Sequence, residues 1–191
     1  MEAKRSLRRE LLRARRAQDA AAVGSASDEV VAALRTLPEL AGERTVLLYA
    51  ADPDEIALDA LVQDPPDGWT VLLPRVEDDA IAVVPVRPGS RLHPGHRGIR
   101  EPDGAPVDPT TVDAVVVPGV AFTVHGERLG RGAGLYDRLL PRLGHAVRIG
   151  VCGERFVRTS LPVEPHDATV DVVVSDASVR RRPDTGDAPS A

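Results

Sequence analysis

The sequence has few of the residue types that mark several classes of protein. Its 191 residues include one cysteine, Cys152, so no disulfide can form within the chain and a reducing compartment is expected. Aromatic side chains make up 3% of the chain, too few for the stacking surfaces that bind single-stranded nucleic acid. No apolar run approaches the roughly 18 residues that a membrane span needs, and no secretory signal is present. We therefore expect a cytoplasmic protein with no membrane partner.

The basic side chains are almost all arginine. The 24 basic residues are outnumbered by 29 acidic ones, and the net charge of −5 argues against a general nucleic-acid partner. Lys4 is the only lysine, which suggests that this position needs a compact ammonium group. The five histidines show no metal-ligand spacing, so a zinc site is not expected.

The apolar pattern predicts helices alternating with strands. Helices are predicted over residues 3–18, 27–37, 56–62 and 135–143, with Ser25 or Ser27 capping the second. Strands are predicted over residues 45–49, 70–73, 80–86, 112–117, 146–151 and 170–174. This alternation predicts an α/β fold, a three-layer α/β/α sandwich with a mostly parallel sheet. We expect one domain over residues 1–179 and a disordered polar tail over residues 180–191.

One segment, Gly126–Arg138, concentrates residues suited to phosphate. It contains alternating glycines, three arginines, a tyrosine and an aspartate between a predicted strand and a predicted helix. Glycines allow a close backbone approach and present unobstructed N–H groups, and arginines supply forked donors. The spacing is not that of a Walker loop, which needs Gly-Lys-Ser/Thr, nor of a dinucleotide fingerprint, because Leu135 stands where a third glycine is required. The simpler alternative is a glycine-rich turn that only joins a strand to a helix.

Two motifs resemble the signature of the 5-formyltetrahydrofolate cyclo-ligase family, also called methenyltetrahydrofolate synthetase. They are Pro118-Gly119-Val120-Ala121-Phe122 and Arg128-Leu129-Gly130-Arg131-Gly132-Ala133-Gly134-Leu135-Tyr136-Asp137. Supporting matches follow in the family order: Lys4-Arg5-Ser6-Leu7-Arg8 in the first helix, then Tyr49 with Glu55, and finally Asp171.

The resemblance implies an ATP- and Mg²⁺-dependent conversion of 5-formyltetrahydrofolate to 5,10-methenyltetrahydrofolate by a monomeric enzyme. It implies ATP binding by two segments, Lys4, Arg5, Ser6, Leu7, Arg8 and Arg128, Leu129, Gly130, Arg131, Gly132, Ala133, Gly134, Leu135, Tyr136. It implies folate contacts from Tyr49 and Glu55, and Mg²⁺ ligands at Asp137 and Asp171. Arg131 and Tyr136 are the expected catalytic residues.

The sequence departs from the family pattern at three positions. Ala133 replaces a glycine, Leu135 replaces the first of two tyrosines, and Leu58 stands where a threonine is frequent, with the last two expected near the substrate. Leu135 and Leu58 motivate an alternative, a non-catalytic protein that binds folate or nucleotide on the same scaffold. A kinase or sugar-phosphate enzyme with a similar layout is a further alternative, and RNA binding by the basic first helix is the weakest one.

Overall fold

A computed structural model describes residues 2–164 and 167–183. The helices are α1 (Glu2–Arg16), α2 (Ala20–Arg35), α3 (Asp59–Gln63) and α4 (Leu135–Leu139). The strands are β1 (Arg44–Leu47), β2 (Trp69–Glu77), β3 (Ala80–Pro85), β4 (Leu92–Pro94), β5 (Arg100–Pro102), β6 (Ala114–Pro118), β7 (Ala121–Thr123), β8 (Arg128–Leu129), β9 (Val147–Val151), β10 (Val157–Arg158), β11 (Val172–Val174) and β12 (Val179–Arg181). Short 3₁₀ turns lie at Pro38–Leu40, His96–Gly98, Pro109–Thr111, Leu140–Leu143 and Glu154–Phe156.

A seven-stranded sheet in the order β12-β11-β9-β6-β1-β2-β3 forms the centre of the fold. The five central strands of this order, β11, β9, β6, β1 and β2, pair in parallel. The edge strands β12 and β3 pair antiparallel with their neighbours. The predicted α/β fold with a mostly parallel sheet is therefore confirmed. Parallel sheets are covered on both faces, which explains why β6 is an uninterrupted apolar run.

The apolar core lies on both sides of this sheet. On one face, Val115 of β6 belongs to the same buried cluster as Leu11 of α1 and the apolar residues of α4. On the other face, Val116 belongs to a cluster with Leu34 of α2 and the apolar residues of α3. Burying each such side chain is worth about 1.5–3 kcal/mol, so these alternating contacts fix the strand register and the helix layers.

The start of α2 differs from the prediction. The helix begins at Ala20, and the Asp19 carboxylate caps it by accepting from the Ala21 amide. Ser27 is therefore not an N-cap but lies inside the helix, where its hydroxyl donates to the Val23 carbonyl and accepts from the Ala57 amide. The prediction was wrong because small residues in the first turns carry little apolar periodicity.

The C-terminal boundary also needs correction. The tail was predicted to begin at Arg180, but residues 179–181 form β12, which pairs with β11. Arg180 donates to both carboxylate oxygens of Glu154 at 2.9 and 2.6 Å, and these bonds hold a polar segment against the sheet. Residues 184–191 of the predicted tail lie outside the described residues.

The segment over residues 87–110, for which no strand was predicted, contains the β4–β5 hairpin. A second small sheet, β10-β7-β8, follows the end of β6 and carries the glycine-rich segment. Both additions lie near the carboxyl ends of β1 and β6, the edge at which α/β sheets bind ligands. Across the described ranges, no helix combines the length and the apolar character that a membrane span requires.

Candidate active site

The glycine-rich segment forms a tight loop between β8 and α4. Gly132 has φ +101° and Gly134 has φ +68°, backbone angles that side chains rarely allow. Ala133 is not among the residues with positive φ, so its methyl group fits where the family has a glycine. The Arg8 side chain of α1 donates to the Gly130 carbonyl at 2.7 Å. The loop is therefore held by backbone geometry and by the first helix.

Two cavities share this loop as a wall. The first has an open volume of about 1060 Å³ and is lined mainly by α1 and the loop. Its lining residues are Lys4, Arg5, Arg8, Arg128, Gly130, Gly132, Ala133, Gly134, Asp137, Arg138, Glu164 and Asp167. Five of these side chains are cationic, so we call it the basic cavity. Anionic phosphate groups suit such a surface.

The second cavity has an open volume of about 990 Å³ and lies toward β1, β2 and the β4–β5 hairpin. Its walls are largely apolar, and we call it the apolar cavity. Its lining residues outside the glycine-rich loop are Tyr49, Ala50, Glu55, Pro74, Val76, Ile81, His96, Arg97, Ile99, Glu101, Pro118 and Gly119. The loop contributes Arg128 and all residues from Gly130 to Asp137. A flat, partly aromatic ligand with a few polar groups suits such a pocket.

Arg128 and Tyr136 leave two buried polar atoms without a hydrogen-bond partner among the described residues. These atoms are the Arg128 Nε and the Tyr136 hydroxyl. The other guanidinium nitrogens of Arg128 bond to the Pro118 carbonyl at 3.3 Å and to Asp137 at 2.6 Å. Unpaired buried polar groups are costly, so both atoms are candidates for ligand contacts.

Burial dominates the electrostatics of the predicted folate residues. Burial raises the pKa of Glu55, opposed by the positive charges of Arg131 and Arg15. Burial also raises the pKa of Tyr49, whose hydroxyl donates to the Ile56 carbonyl at 2.7 Å. Tyr49 and Glu55 both line the apolar cavity.

Arg131 contacts carboxylates from the segment after β1. It pairs with Asp52, with Asp54 at 3.1 Å and with Glu55 at 3.2 Å. The sequence predicted a phosphate contact for this arginine, whereas the structure places its guanidinium beside Glu55. Arg131 thus links the glycine-rich loop to the predicted folate residues.

Lys4 is buried at the edge of the basic cavity. Its ammonium donates to Glu164 at 3.0 Å and to Asp167 at 2.5 Å. Burial disfavours the charge, but these two carboxylates outweigh it and raise the Lys4 pKa. The lysine therefore stays charged at neutral pH beside the glycine-rich loop.

The two predicted metal ligands are not brought together. Asp137 lines both cavities, and its Oδ1 accepts from Arg128. Asp171 precedes β11 at the opposite, amino end of the sheet, where its carboxylate accepts from the Arg148 amide at 2.9 Å and from Arg182 at 3.2 Å. No group of three or more candidate metal ligands occurs among residues 2–164 and 167–183. Of the two predicted metal ligands, only Asp137 lines the cavities.

Some predicted ATP residues contribute to the fold rather than to the cavity walls. Leu129 is fully buried, Leu7 packs on the core, and Ser6 is exposed and lines neither cavity. Leu135 does line the apolar cavity, where the family has a tyrosine. Leu58 lines neither cavity, contrary to expectation, because it directly precedes α3 and is fully buried in the core cluster that contains the apolar residues of this helix.

Two buried charged residues were missed by the sequence reasoning. Arg15 of α1 is 4% exposed and contacts the segment that carries Glu55. Glu101 of β5 accepts from the Val76 and His96 amides and lines the apolar cavity. Arg15 could have been noticed, because it follows Leu11 by four residues on the apolar face of α1. Glu101 carried no such periodic signal, since its partners are backbone amides, one of them on β2 and 25 positions away.

Comparisons with known proteins agree with this geometry. The family model for the 5-formyltetrahydrofolate cyclo-ligase family matches residues 1–176. A 5-formyltetrahydrofolate cyclo-ligase from Mycolicibacterium smegmatis is 35% identical over 69% of this chain and 73% of its own length. One from Saccharomyces cerevisiae is 30% identical over 91% of this chain and 95% of its own.

A solved structure of 5,10-methenyltetrahydrofolate synthetase from Aquifex aeolicus superimposes with a TM-score of 0.87 at 35% identity, covering 98% of this chain and 96% of that one. A second synthetase structure, from Mycoplasma pneumoniae, has a TM-score of 0.69 at 21% identity, covers 91% of this chain and 98% of that one, and supports the fold alone. The match of sequence motifs, sheet and loop leads to one conclusion: this chain belongs to the 5-formyltetrahydrofolate cyclo-ligase family.

Proposed function

We propose that the protein converts 5-formyltetrahydrofolate to 5,10-methenyltetrahydrofolate and releases ADP and phosphate from ATP. The observation that carries the proposal is the glycine-rich loop, which is a wall of both the basic and the apolar cavity. A phosphoryl group bound on one side of the loop is thereby brought next to a folate bound on the other. Family membership supports the same reaction.

The basic cavity is proposed to bind ATP. Lys4, Arg5 and Arg8 of α1 face the glycine-rich loop across it and supply charge for the phosphates. Loop amide groups can donate to phosphate oxygens, and the Arg128 Nε is a further donor. Mg²⁺ is proposed to bind Asp137 together with phosphate oxygens, and when bound it would neutralise charge on the transferred group.

The apolar cavity is proposed to bind the folate. Its aliphatic walls suit the ring system, and the Tyr49 ring adds the aromatic contact. The Glu55 carboxylate can accept two side-by-side N–H donors of the pterin. Since Arg131 contacts Glu55 and belongs to the loop, it lies where the two ligands would meet.

The proposed reaction has two steps. The formyl oxygen attacks the γ-phosphorus as the bond to ADP breaks, and N10 then attacks the activated formyl carbon, which releases phosphate and a proton from N10. Phosphoryl transfer needs alignment and charge neutralisation more than covalent help from the protein. Burial raises the Tyr136 pKa, so its hydroxyl stays protonated and can donate to an oxygen that gains charge. Arg131 offers the second donor.

Purified protein with 5-formyltetrahydrofolate, ATP and Mg²⁺ should produce the absorbance of the methenyl product. Asp137→Asn should raise the Mg²⁺ concentration needed for half-maximal rate. Asp171→Asn is the matched control and should not raise it, because Asp171 lies at the other end of the sheet. Tight folate binding without turnover would instead support a non-catalytic binding protein, the alternative that Leu135 motivates.

The remaining aspects of the proposal rest on the sequence. We propose that the chain through β12 acts as one catalytic domain, and that the protein works as a monomer in the cytoplasm. The single cysteine is buried, and burial raises its pKa to about 12, so its thiol is poorly reactive.

A further inference from the structure

Arg15 is a buried arginine at the C-terminal end of α1 that contacts the apolar side of the active site. Lys4, Arg5 and Arg8, near the start of the same helix, line the basic cavity. Helical geometry places Arg15 about 16 Å further along the axis from Lys4. The start of this helix therefore lines the basic cavity, and its end contacts Glu55, a residue of the apolar cavity wall.

The Arg15 guanidinium joins two segments that follow adjacent strands. Its Nε and Nη2 donate to the Asp54 carbonyl at 3.1 and 2.8 Å. Its Nη1 donates to the Gly119 carbonyl at 3.1 Å. Asp54 lies after β1 and Gly119 directly follows β6, so one side chain ties together the carboxyl ends of two paired strands.

The same guanidinium lies beside Glu55. Its Nη2 is 3.5 Å from the Glu55 Oε1, and Arg131 reaches the same oxygen at 3.2 Å from the loop side. The other titratable groups that act on Glu55 are Asp52, whose amide donates to the Glu55 Oε2, and the phenols of Tyr49 and Tyr136. Glu55 is therefore held between one cation from the glycine-rich loop and one from α1.

We propose that Arg15 is a positioning residue for folate binding, which fixes the backbone before Glu55 and keeps the Glu55 carboxylate charged and directed into the apolar cavity. This proposal rests on the proposed function. Arg15 lines neither the basic nor the apolar cavity, so it acts on the folate through Glu55. Arginine is required because one planar guanidinium group contacts two carbonyls and a carboxylate at once, and the single ammonium group of a lysine cannot reach all three.

Steady-state kinetics of Arg15→Lys test the proposal. We expect KM for 5-formyltetrahydrofolate to rise about tenfold, the cost of losing two fixed donors, while KM for ATP stays within about twofold. The matched control is Arg16→Lys, the same change at the exposed neighbouring position, which should leave both constants unchanged. Equal rises in both KM values, or no rise for the folate, would contradict the proposal.

Two further measurements separate positioning from stability. Removal of one cation beside Glu55 should raise the pKa of the Glu55 carboxyl. In Arg15→Gln, the fall of kcat/KM for folate on the acidic side of its pH profile should therefore occur at higher pH. The folate affinities of Arg15→Lys and Glu55→Gln should also be non-additive in a double-mutant cycle. Two outcomes would show that Arg15 serves only the fold. One is additive losses of folate affinity together with an unchanged pH profile of kcat/KM, and the other is a circular dichroism spectrum of the variants that differs from that of wild type.

The failure of this proposal is distinguishable from failure of the proposed function. If wild-type protein does not turn over 5-formyltetrahydrofolate, the proposed function is wrong. If wild-type protein is active and Arg15→Lys keeps its folate KM, only the role of Arg15 is wrong.

Discussion

At the scale of single residues, the site contains polar groups that the fold does not satisfy. The Tyr136 hydroxyl is buried without a hydrogen-bond partner in the described part of the chain, although most buried polar groups in proteins are paired. Such a group destabilises the empty protein and is retained where a ligand uses it. The sequence motif identified Tyr136, but its unpaired hydroxyl could be found only from the packing around it.

Tyr136→Phe tests this interpretation. Removing an unsatisfied buried hydroxyl should leave the free energy of unfolding unchanged or raise it by about 1 kcal/mol. Loss of the donor should lower kcat about 100- to 1,000-fold, the range typical of removing a transition-state donor. Denaturant unfolding and steady-state assays measure the two effects. A variant that is less stable yet fully active would show that the hydroxyl serves the fold.

Residue identity was also insufficient to predict which aspartates belong to the metal site. Asp137 and Asp171 are equally acidic in the sequence, but the structure places them at opposite ends of the sheet and binds Asp171 to Arg148 and Arg182. A short motif gives the order of residues along the chain and not their separation in space. For that reason, Asp137 alone is retained in the proposed Mg²⁺ site.

At the scale of elements, backbone conformation decides which loop substitutions are allowed. Gly132 adopts φ +101°, and a Cβ there would lie 3.3 Å from the Arg8 guanidinium. Gly132→Ala should therefore cost about 1–2 kcal/mol of stability and raise KM for ATP. Ala133→Gly, the matched change at the next position, should leave KM for ATP within about twofold because its backbone is unstrained. Comparable ATP defects in both variants would contradict this account of the loop.

The edge strand β12 is held by an ion pair that the composition did not reveal. Hydrogen bonds from Arg180 and Ser175 lower the Glu154 pKa to about 2 from its ordinary value of 4.5. Glu154 is partly exposed, so solvent screening limits the contribution of these bonds to about 1 kcal/mol. The polarity of residues 179–181 suggested disorder, because a sequence pattern does not show which charges meet across the fold.

The stability contribution of Glu154 should depend on pH in a defined window. Because its folded pKa is depressed, the contribution is present above pH 4.5 and is lost as pH falls toward about 2. Glu154→Gln should thus be less stable than wild type at pH 7 and equally stable near pH 2. Thermal unfolding across this range measures the difference, and a constant difference at all pH values would contradict the assignment.

At the scale of the whole molecule, two cavities meet at one glycine-rich loop. The sequence predicted the parallel sheet because buried β-branched runs and alternating elements have few other solutions. It did not predict that Arg8 of α1 bonds to the Gly130 carbonyl, or that Arg131 turns toward Glu55, because those contacts join residues more than 70 positions apart. The arrangement suits a reaction in which two ligands must be aligned before phosphoryl transfer.

The most direct test is to measure product and ADP together in one assay of the purified protein. With 5-formyltetrahydrofolate, ATP and Mg²⁺, we predict that the methenyl product and ADP form at equal rates, and that omission of either substrate abolishes both. ADP release without the methenyl product, or product formation that does not depend on ATP, would contradict the proposed coupling of the two cavities.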